Sequence, residues 1–256
     1  MKVFTSLMFI SLFAMCVLSQ SQKDLTTATV RAEKAAQILK QFAALGEDSA
    51  PFEYLQQAKA VAVFPDLTRV NILINELTTG NGIVAIRTDD NKWSVPAFLA
   101  LKAQDLNLKI ADKKSFDTVI LFMDDDSIEW LKKGDIHFSS GGNRKIALGP
   151  VIGGKGAEEL MKTAKVIYYS FNDGQLVDTG LNTNSMFKAV SIFHDNNMNK
   201  DIFKMKTKPL FAAPESDLKI PEGIENYRTV LNEILKEKAP EKTLEKASDQ
   251  TDENNN

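Results

Sequence analysis

The chain has 256 residues, of which 43% are hydrophobic and 25% are charged, a composition typical of a globular protein with one substantial core. Its net charge is −3, and the acidic excess lies mainly after Ala239, so the body of the chain is close to neutral. A near-neutral body lacks the global positive field that draws proteins to nucleic acid, and we therefore expect any anion-binding surface to be a local patch.

The N-terminal residues have the pattern of a secretory signal. Lys2 is followed by an apolar run from Val3 to Leu18, and Ser19 ends a short cleavage-site motif. A membrane-spanning anchor is the rival interpretation, but the run is short for a span, which needs ~20 residues. We predict a signal peptide over residues 1–19 and an exported protein, periplasmic or secreted, with peripheral membrane association as an open alternative.

The only cysteine, Cys16, lies inside this apolar run. Cleavage after Ser19 leaves a chain without a thiol nucleophile, a disulfide or a cysteine metal site. Lipoprotein processing at Cys16 is the alternative, although Met15 is larger than the small residue that usually precedes a lipidated cysteine.

Two helices are predicted next. The first begins near Asp24, where Asp24, Thr26 or Thr27 can cap it, and ends at Gly46. Its apolar face consists of Ala35, Ile38, Leu39, Phe42 and Leu45. The second helix is short and has Pro51 in its first turn.

Short apolar or alternating runs, separated by turn residues, then predict β-strands. These runs are Lys59–Phe64, Arg69–Glu76, Asn81–Thr88, Asn91–Leu101, Asp105–Ala111, Thr118–Met123, Asp135–Ser139, Lys165–Leu181 with a turn at Asn172–Gly174, and Ser185–Phe193. Many short strands with tight connections favour one antiparallel sheet. We predict an α+β fold: a curved antiparallel sheet or partly closed barrel, with the N-terminal helices and a C-terminal helix packed on it.

Further helices are predicted at Asp124–Gly134 and near the C-terminus. The first has acids in its first turn, Lys132 and Lys133 in its last and a glycine just past its end. Its acids, Asp124, Asp125 and Asp126, suit helix capping better than a cation site. The C-terminal helix has an apolar face of Ile224, Tyr227, Leu231 and Leu235, and residues 239–256 are predicted to be a disordered acidic tail.

No pattern in the chain predicts catalysis. The run from Gly149 to Gly156 has phosphate-loop spacing around Lys155, but a glycine stands where a Ser or Thr should bind magnesium, so we favour a surface loop. His137 and His194 are far apart and lack the spacing of metal ligands. We predict no catalytic residue, no metal and no cofactor.

Lysines alternate with other residues in the segment from Phe203 to Phe211. If this segment is extended, Lys204, Lys206 and Lys208 point one way and can bind an anionic lipid surface. The alternative is an edge strand that its lysines protect from pairing. Arg144 and Lys145, in a glycine-rich loop, are a second cationic candidate.

Several motifs occur in one order along the chain: AKAVAVFP (Ala58–Pro65), GNGIVAIR (Gly80–Arg87), WSVPAF (Trp93–Phe98), DTVILFMDDDSIEWLKKG (Asp117–Gly134), LGPV (Leu148–Val151) and AKVIYYSFNDGQL (Ala164–Leu176). This order resembles the SYLF domain, also called the Ysc-type actin-binding domain, over roughly residues 29–203. The resemblance implies a non-catalytic lipid-binding module. Eukaryotic members bind phosphoinositides, some members bind or bundle actin, and bacterial members are commonly exported or lipid-anchored.

The resemblance gives a domain division and one further candidate. We predict a SYLF-like domain at 24–210 and a helical extension at 211–238. Trp93 supplies a large apolar body and contacts a membrane if it is exposed, whereas Pro96 belongs at an edge, a bulge or a strand start. The segment from Asp66 to Thr79 departs from the family because it has no glycine, and its side chains are expected to fill space or alter a groove. A protein-interaction or envelope scaffold without a lipid ligand is the alternative function.

Overall fold

The computed structural model describes residues 2–45, 50–72, 75–104, 115–139, 146–149, 162–172, 174–176 and 189–236. The helices are α1 (Lys2–Ala43), α2 (Ala50–Gln57), α3 (Asp125–Lys133), α4 (Asn196–Phe203), α5 (Thr207–Leu210) and α6 (Glu222–Lys236), with a 3-10 turn at Glu215–Asp217. The strands are β1 (Ala60–Ile72), β2 (Asn75–Ile86), β3 (Ala97–Gln104), β4 (Ser115–Phe122), β5 (Asp135–Ser139), β6 (Ile146–Gly149), β7 (Val166–Asn172), β8 (Gln175–Leu176) and β9 (Ala189–His194).

The nine strands described form one sheet in the order β5-β9-β3-β2-β1-β4-β7-β6, and β8 pairs with β7. Neighbouring strands are antiparallel except for β6 and β7, which are parallel. Residues 150–165 separate these two strands, which is enough chain for the crossover that a parallel pair requires. The predicted α+β fold is confirmed, with this one parallel pair as a difference.

The sheet curves until residues near its two ends meet. The ring of Phe138 on β5 packs edge-on against the ring of Tyr168 on β7, with centroids 6.5 Å apart. No backbone pairing joins β5 to β6 or β7 among the strands described. The sheet is therefore curved and not closed, and we call the face that carries Phe138 and Tyr168 the inner face.

Helices from both ends of the chain cover the opposite, outer face. Phe42 of α1 packs edge-on against Tyr169 and Phe171 of β7, at 5.0 and 5.5 Å between ring centroids. Tyr227 of α6 donates its hydroxyl proton to the carbonyl oxygen of Val61 at 2.9 Å. The apolar faces predicted for these two helices are confirmed: Ala35, Ile38, Leu39, Phe42, Ile224, Tyr227 and Leu231 are buried, and Leu45 and Leu235 are partly buried.

Three local predictions are wrong. Arg69–Glu76 is not one strand, because β1 ends at Ile72 and Ile72 pairs with Asn75 at the start of β2. The helix does not begin near Asp24, because α1 runs through that region and the hydroxyls of Thr26 and Thr27 donate to carbonyls four residues earlier. Residues 65–66 do not separate two strands either. Asp66 adopts φ 52° inside the continuous strand β1, where the register shifts, so this point is a β-bulge.

The predicted helix after β4 is confirmed in detail. Asp124 is its N-cap and accepts a hydrogen bond from the backbone N–H of Ser127, whose hydroxyl oxygen accepts one from the backbone N–H of Asp124. Gly134 ends the helix with φ 77°. The predicted turn between β7 and β8 is also present, since Asn172 pairs with Gln175 across it.

Other predictions lie outside the described residues. These concern the strand Asp105–Ala111, Arg144, Lys145, the loop around Lys155 and the tail 239–256. The signal peptide stays a prediction, because the helical backbone of residues 2–19 does not test cleavage. Among the helices that the structure describes, none has an apolar stretch long enough to cross a membrane.

Candidate functional site

The Trp-Ser-x-Pro motif ties the β2–β3 connection to the body of the sheet. The Ser94 hydroxyl oxygen accepts a hydrogen bond from the backbone N–H of Ile86 at 3.0 Å, and the Ser94 N–H donates to the Ile86 carbonyl oxygen at 2.7 Å. Pro96 directly precedes β3, which starts at Ala97, so its predicted place at a strand start is confirmed. The motif therefore fixes how the chain re-enters the sheet.

Trp93 is buried, with 2% of its surface exposed. Membrane contact is predicted only for an exposed Trp93, and this condition is not met. A backbone bridge joins Trp93 to Arg87, and the guanidinium carbon of Arg87 lies 5.0 Å from the centroid of the indole ring. The indole ring thus makes a cation–π contact with the Arg87 guanidinium.

The Arg87 guanidinium also fastens α2 to the sheet. Its Nη2 donates to the carbonyl oxygen of Gln56 at 2.8 Å, in the last turn of α2, where a positive charge is favourable. Its Nη1 donates to the side-chain oxygen of Asn91 at 3.3 Å. Burial lowers the pKa of Arg87.

The lysine segment, residues 204–208, is not an extended strand, so the prediction of one straight row is wrong. Lys204 ends α4 in the left-handed conformation, with φ 62°. Lys206 is the N-cap of α5, and Lys208 lies within α5. The three lysines therefore project from two helix ends.

A buried polar network determines this geometry. The side-chain oxygen of Asn199 accepts a hydrogen bond from the backbone N–H of Phe98 at 2.9 Å. Its side-chain nitrogen donates to the Phe98 carbonyl oxygen at 3.0 Å and to the Thr207 hydroxyl oxygen at 2.6 Å. Thr207 in turn donates its backbone N–H to the side-chain oxygen of Asn196 at 3.1 Å. The network fixes α4, the lysine segment and α5 against β3.

The three lysine side chains are exposed, and no carboxylate among the described residues lies within ion-pair distance of them. The Lys204 ammonium donates only to the carbonyl oxygen of Asp201, at 2.7 Å. The neighbouring apolar side chain Phe203 is buried and stacks on Phe98, with centroids 6.3 Å apart. The segment therefore presents three exposed ammonium groups that form no ion pair with the described residues.

The fold brings the C-terminal end of α3 close to α5 and the lysine segment. His194 Nε2 lies 2.8 Å from the Leu131 carbonyl oxygen. Because a carbonyl oxygen only accepts, Nε2 is the donor in this hydrogen bond. The His194 ring also lies 5.9 Å from the ring of Phe211, just past α5. Burial lowers the pKa of His194, while its hydrogen bond to Leu131 works in the opposite direction.

This contact adds one cation that the sequence pattern did not reveal. Lys133, in the last turn of α3, is exposed and has no acidic partner among the described residues, whereas Lys132 pairs with Glu129 at 3.5 Å. Lys133 is far from the lysine segment in the chain, and no local signal connects the two. We call Lys133, Lys204, Lys206 and Lys208 the lysine patch.

The acids of α3 serve structural roles. Burial raises the pKa of Asp124, but hydrogen bonds from Ser127 and the ion pair with Lys165 outweigh it and leave the pKa below its usual value. Lys165 also pairs with Asp126, and Lys59 pairs with Asp125 at 2.6 Å. No group of three or more metal-ligating side chains occurs within the part of the chain that the structure describes.

Known proteins similar to this chain share one description. The chain is 30% identical over 158 residues to the SH3 domain-containing YSC84-like protein 1 of Homo sapiens, which covers 59% of this chain and 44% of that protein. It is 31% identical over 151 residues to the proteins of the same name from Mus musculus and Rattus norvegicus, covering 56% of this chain and 43% of each. The chain thus spans less than half the length of these curated relatives. No family model and no solved structure matches it.

Proposed function

We propose that the chain is a SYLF-type protein, on the basis of the segment it shares with the YSC84-like proteins, and that it binds an anionic lipid or membrane surface without catalysis. The relatives are named for an SH3 domain and for likeness to YSC84, and not for a reaction. We further propose that the protein is exported and meets this surface outside the cytoplasm, on the basis of its N-terminal signal pattern.

The observation that carries the proposal is the lysine patch. Its exposed cations project from the ends of α3, α4 and α5, and none has an acidic partner among the described residues. The body of the chain is otherwise near neutral, so an anionic membrane is attracted to this patch and not to the molecule as a whole. The buried network around Asn199 holds the segment in place, so the segment loses less conformational entropy when it binds.

The expected strength is modest. Each lysine near an anionic membrane contributes ~1 kcal/mol, so the three lysines of the segment contribute up to ~3 kcal/mol. Screening limits this attraction to about 8 Å at physiological ionic strength. Binding should therefore require anionic lipid and should fall as salt is added.

Vesicle co-sedimentation tests the proposal. The parent should bind vesicles that contain phosphatidylserine and not vesicles of phosphatidylcholine, and the triple variant K204Q/K206Q/K208Q should lose most of this binding. A matched control, K40Q/K102Q/K219Q, removes the same charge from exposed lysines on other elements. Equal losses in the two triple variants would show that only net charge matters.

The alternative is a protein-interaction or envelope scaffold without a lipid ligand. It gains support if the folded parent binds neither kind of vesicle at low salt. Equal binding to neutral and anionic vesicles would instead point to apolar contact and would contradict a role for the lysine patch.

A further inference from the structure

Arg87 is a half-buried cation without a counter-charge among the described residues. Its two side-chain hydrogen bonds go to neutral acceptors, the Gln56 carbonyl oxygen and the Asn91 side-chain oxygen. The nearby acid Asp90 is paired with Lys92 at 2.8 Å. A guanidinium group has five N–H donors, so much of the hydrogen-bonding capacity of Arg87 is unused.

Two buried donors, one on each of two side chains in contact, have no hydrogen-bond partner among the described residues. One is Nε of Arg87 and the other is Nε1 of Trp93, which belongs to a side chain that is 98% buried. Their parent groups are in cation–π contact, because the guanidinium carbon lies 5.0 Å from the indole centroid. Buried N–H groups in native proteins are almost always paired, so two orphan donors, one of them on a guanidinium without an ion-pair partner, indicate a missing acceptor.

We propose that Arg87 and Trp93 form a binding site for one phosphate group, separate from the lysine patch. Phosphate oxygens accept from both nitrogen atoms, and their negative charge compensates that of the guanidinium. Arginine suits this role because its planar fork matches phosphate geometry. Both nitrogen atoms are shielded from water, and charge-assisted hydrogen bonds are stronger in such surroundings.

The turn at residues 88–92 lies directly between Arg87 and Trp93 in the chain and is the part of the site nearest to solvent. Its side chains are exposed, and Asn91, which holds Nη1 of Arg87, adopts φ 60° within it. The phosphate belongs either to a lipid phosphomonoester or to a soluble compound, and the chemistry recognised is the same.

Indole N–H signals in nitrogen-15 NMR test the proposal on the unaltered protein. The chain has two tryptophans, Trp93 and Trp130, and W130F assigns the two signals. Inorganic phosphate should shift the Trp93 signal in a saturable way, whereas sodium chloride at equal ionic strength should not. An unmoved Trp93 signal, or an equal response to chloride, would show that the orphan donors are satisfied by water alone and would overturn the proposal.

Calorimetric titration with phosphate then tests the two donors. W93F keeps an aromatic floor under Arg87 but removes the indole N–H, and R87K keeps the charge but removes Nε of the fork. Each should weaken phosphate binding roughly tenfold to a hundredfold, the usual effect of losing a hydrogen bond to a charged group. W130F makes the same chemical change at the other tryptophan and should leave the affinity unchanged. Unchanged affinity in W93F would contradict the site even if phosphate binds elsewhere.

Vesicles distinguish the source of the phosphate. A preference for phosphatidic acid over phosphatidylserine at equal vesicle charge, lost in W93F and kept in K204Q/K206Q/K208Q, assigns the site to a lipid headgroup. Saturable phosphate binding without that preference assigns it to a soluble phosphate compound. Loss of phosphatidylserine vesicle binding in K204Q/K206Q/K208Q supports the proposed function. Phosphate binding is measured without vesicles, so either proposal can fail while the other stands.

Discussion

The ring of Phe138 on β5 rests against the ring of Tyr168 on β7, although five strands separate β5 from β7 in the order of the sheet. This contact joins the two ends of a curved sheet whose described edge strands do not pair. The contact lies on the inner face, where the side chains of both residues are buried.

Truncation of Phe138 tests the importance of this closure. F138A should lower the free energy of unfolding by about 3–5 kcal/mol, because it leaves a cavity and removes the contact between the ends of the sheet. F193A is the matched control, since Phe193 lies on the adjacent strand but is only half-buried. Urea denaturation measures both variants, and equal losses would argue against a special role for the closure.

Two glycines with positive φ separate backbone strain from steric overlap. Gly134 and Gly174 have φ 77° and 75°, but a Cβ at Gly134 overlaps the His194 ring, whereas one at Gly174 meets nothing closer than 3.6 Å. G174A should cost about 1–2 kcal/mol from strain alone. G134A should cost an additional ~1–3 kcal/mol from overpacking. Thermal unfolding of the pair measures the difference, and similar values would mean that His194 moves freely.

The buried network should control both stability and membrane binding. N199A leaves the backbone N–H of Phe98 without its partner and should destabilise the protein by about 2–4 kcal/mol. It also frees the lysine segment from β3, so vesicle binding should weaken although every lysine is present. T207V removes only the hydroxyl group and should have a smaller effect on both. Unchanged vesicle binding by folded N199A would show that a fixed segment is not required.

The stability of the protein should decrease in mildly acidic solution because of His194. Burial lowers the pKa of His194 in the folded protein below the 6.5 of the free side chain. As the pH drops below about 6.5, His194 is protonated more readily in the unfolded chain than in the folded protein. The free energy of unfolding therefore falls until the pH reaches the folded pKa. The decrease in urea midpoint between pH 7.5 and pH 5.5 should be smaller in H194Q than in the parent. H137Q is the control for the loss of a histidine as such, because His137 is the other histidine of the chain and lies exposed on β5.

Processing at the N-terminus is tested by the intact mass of the exported protein. Cleavage as predicted places the mature N-terminus between Ser19 and Lys23 and leaves no thiol to react with a maleimide. A mass that retains residues 1–18 would contradict the signal peptide. Acyl chains on Cys16 would establish the lipoprotein alternative.

Some elements follow from the local sequence. The helix α3 is specified by an aspartate at its start, two lysines in its last turn and a glycine after its end, and each of these acts within four residues. Pro96 before β3 and the turn before Gln175 are equally local. Such features are readable because their energies depend on neighbours in the chain.

The candidate sites depended on contacts between distant residues. Alternation suggested a strand for the lysine segment, but Asn199, 101 residues from Phe98, binds that residue and draws the segment into two helix ends. The sequence leaves the exposure of Trp93 open, whereas in the fold its indole is buried and Arg87, bonded to the end of α2, lies over its ring. The hydrophobic pattern and the capping residues specified which segments form strands and helices. Burial and long-range hydrogen bonds decided which charges stay at the surface and which donors lack a partner. The exposure and the partners of a side chain depend on the distant residues that the fold places beside it, and the local sequence does not contain that information.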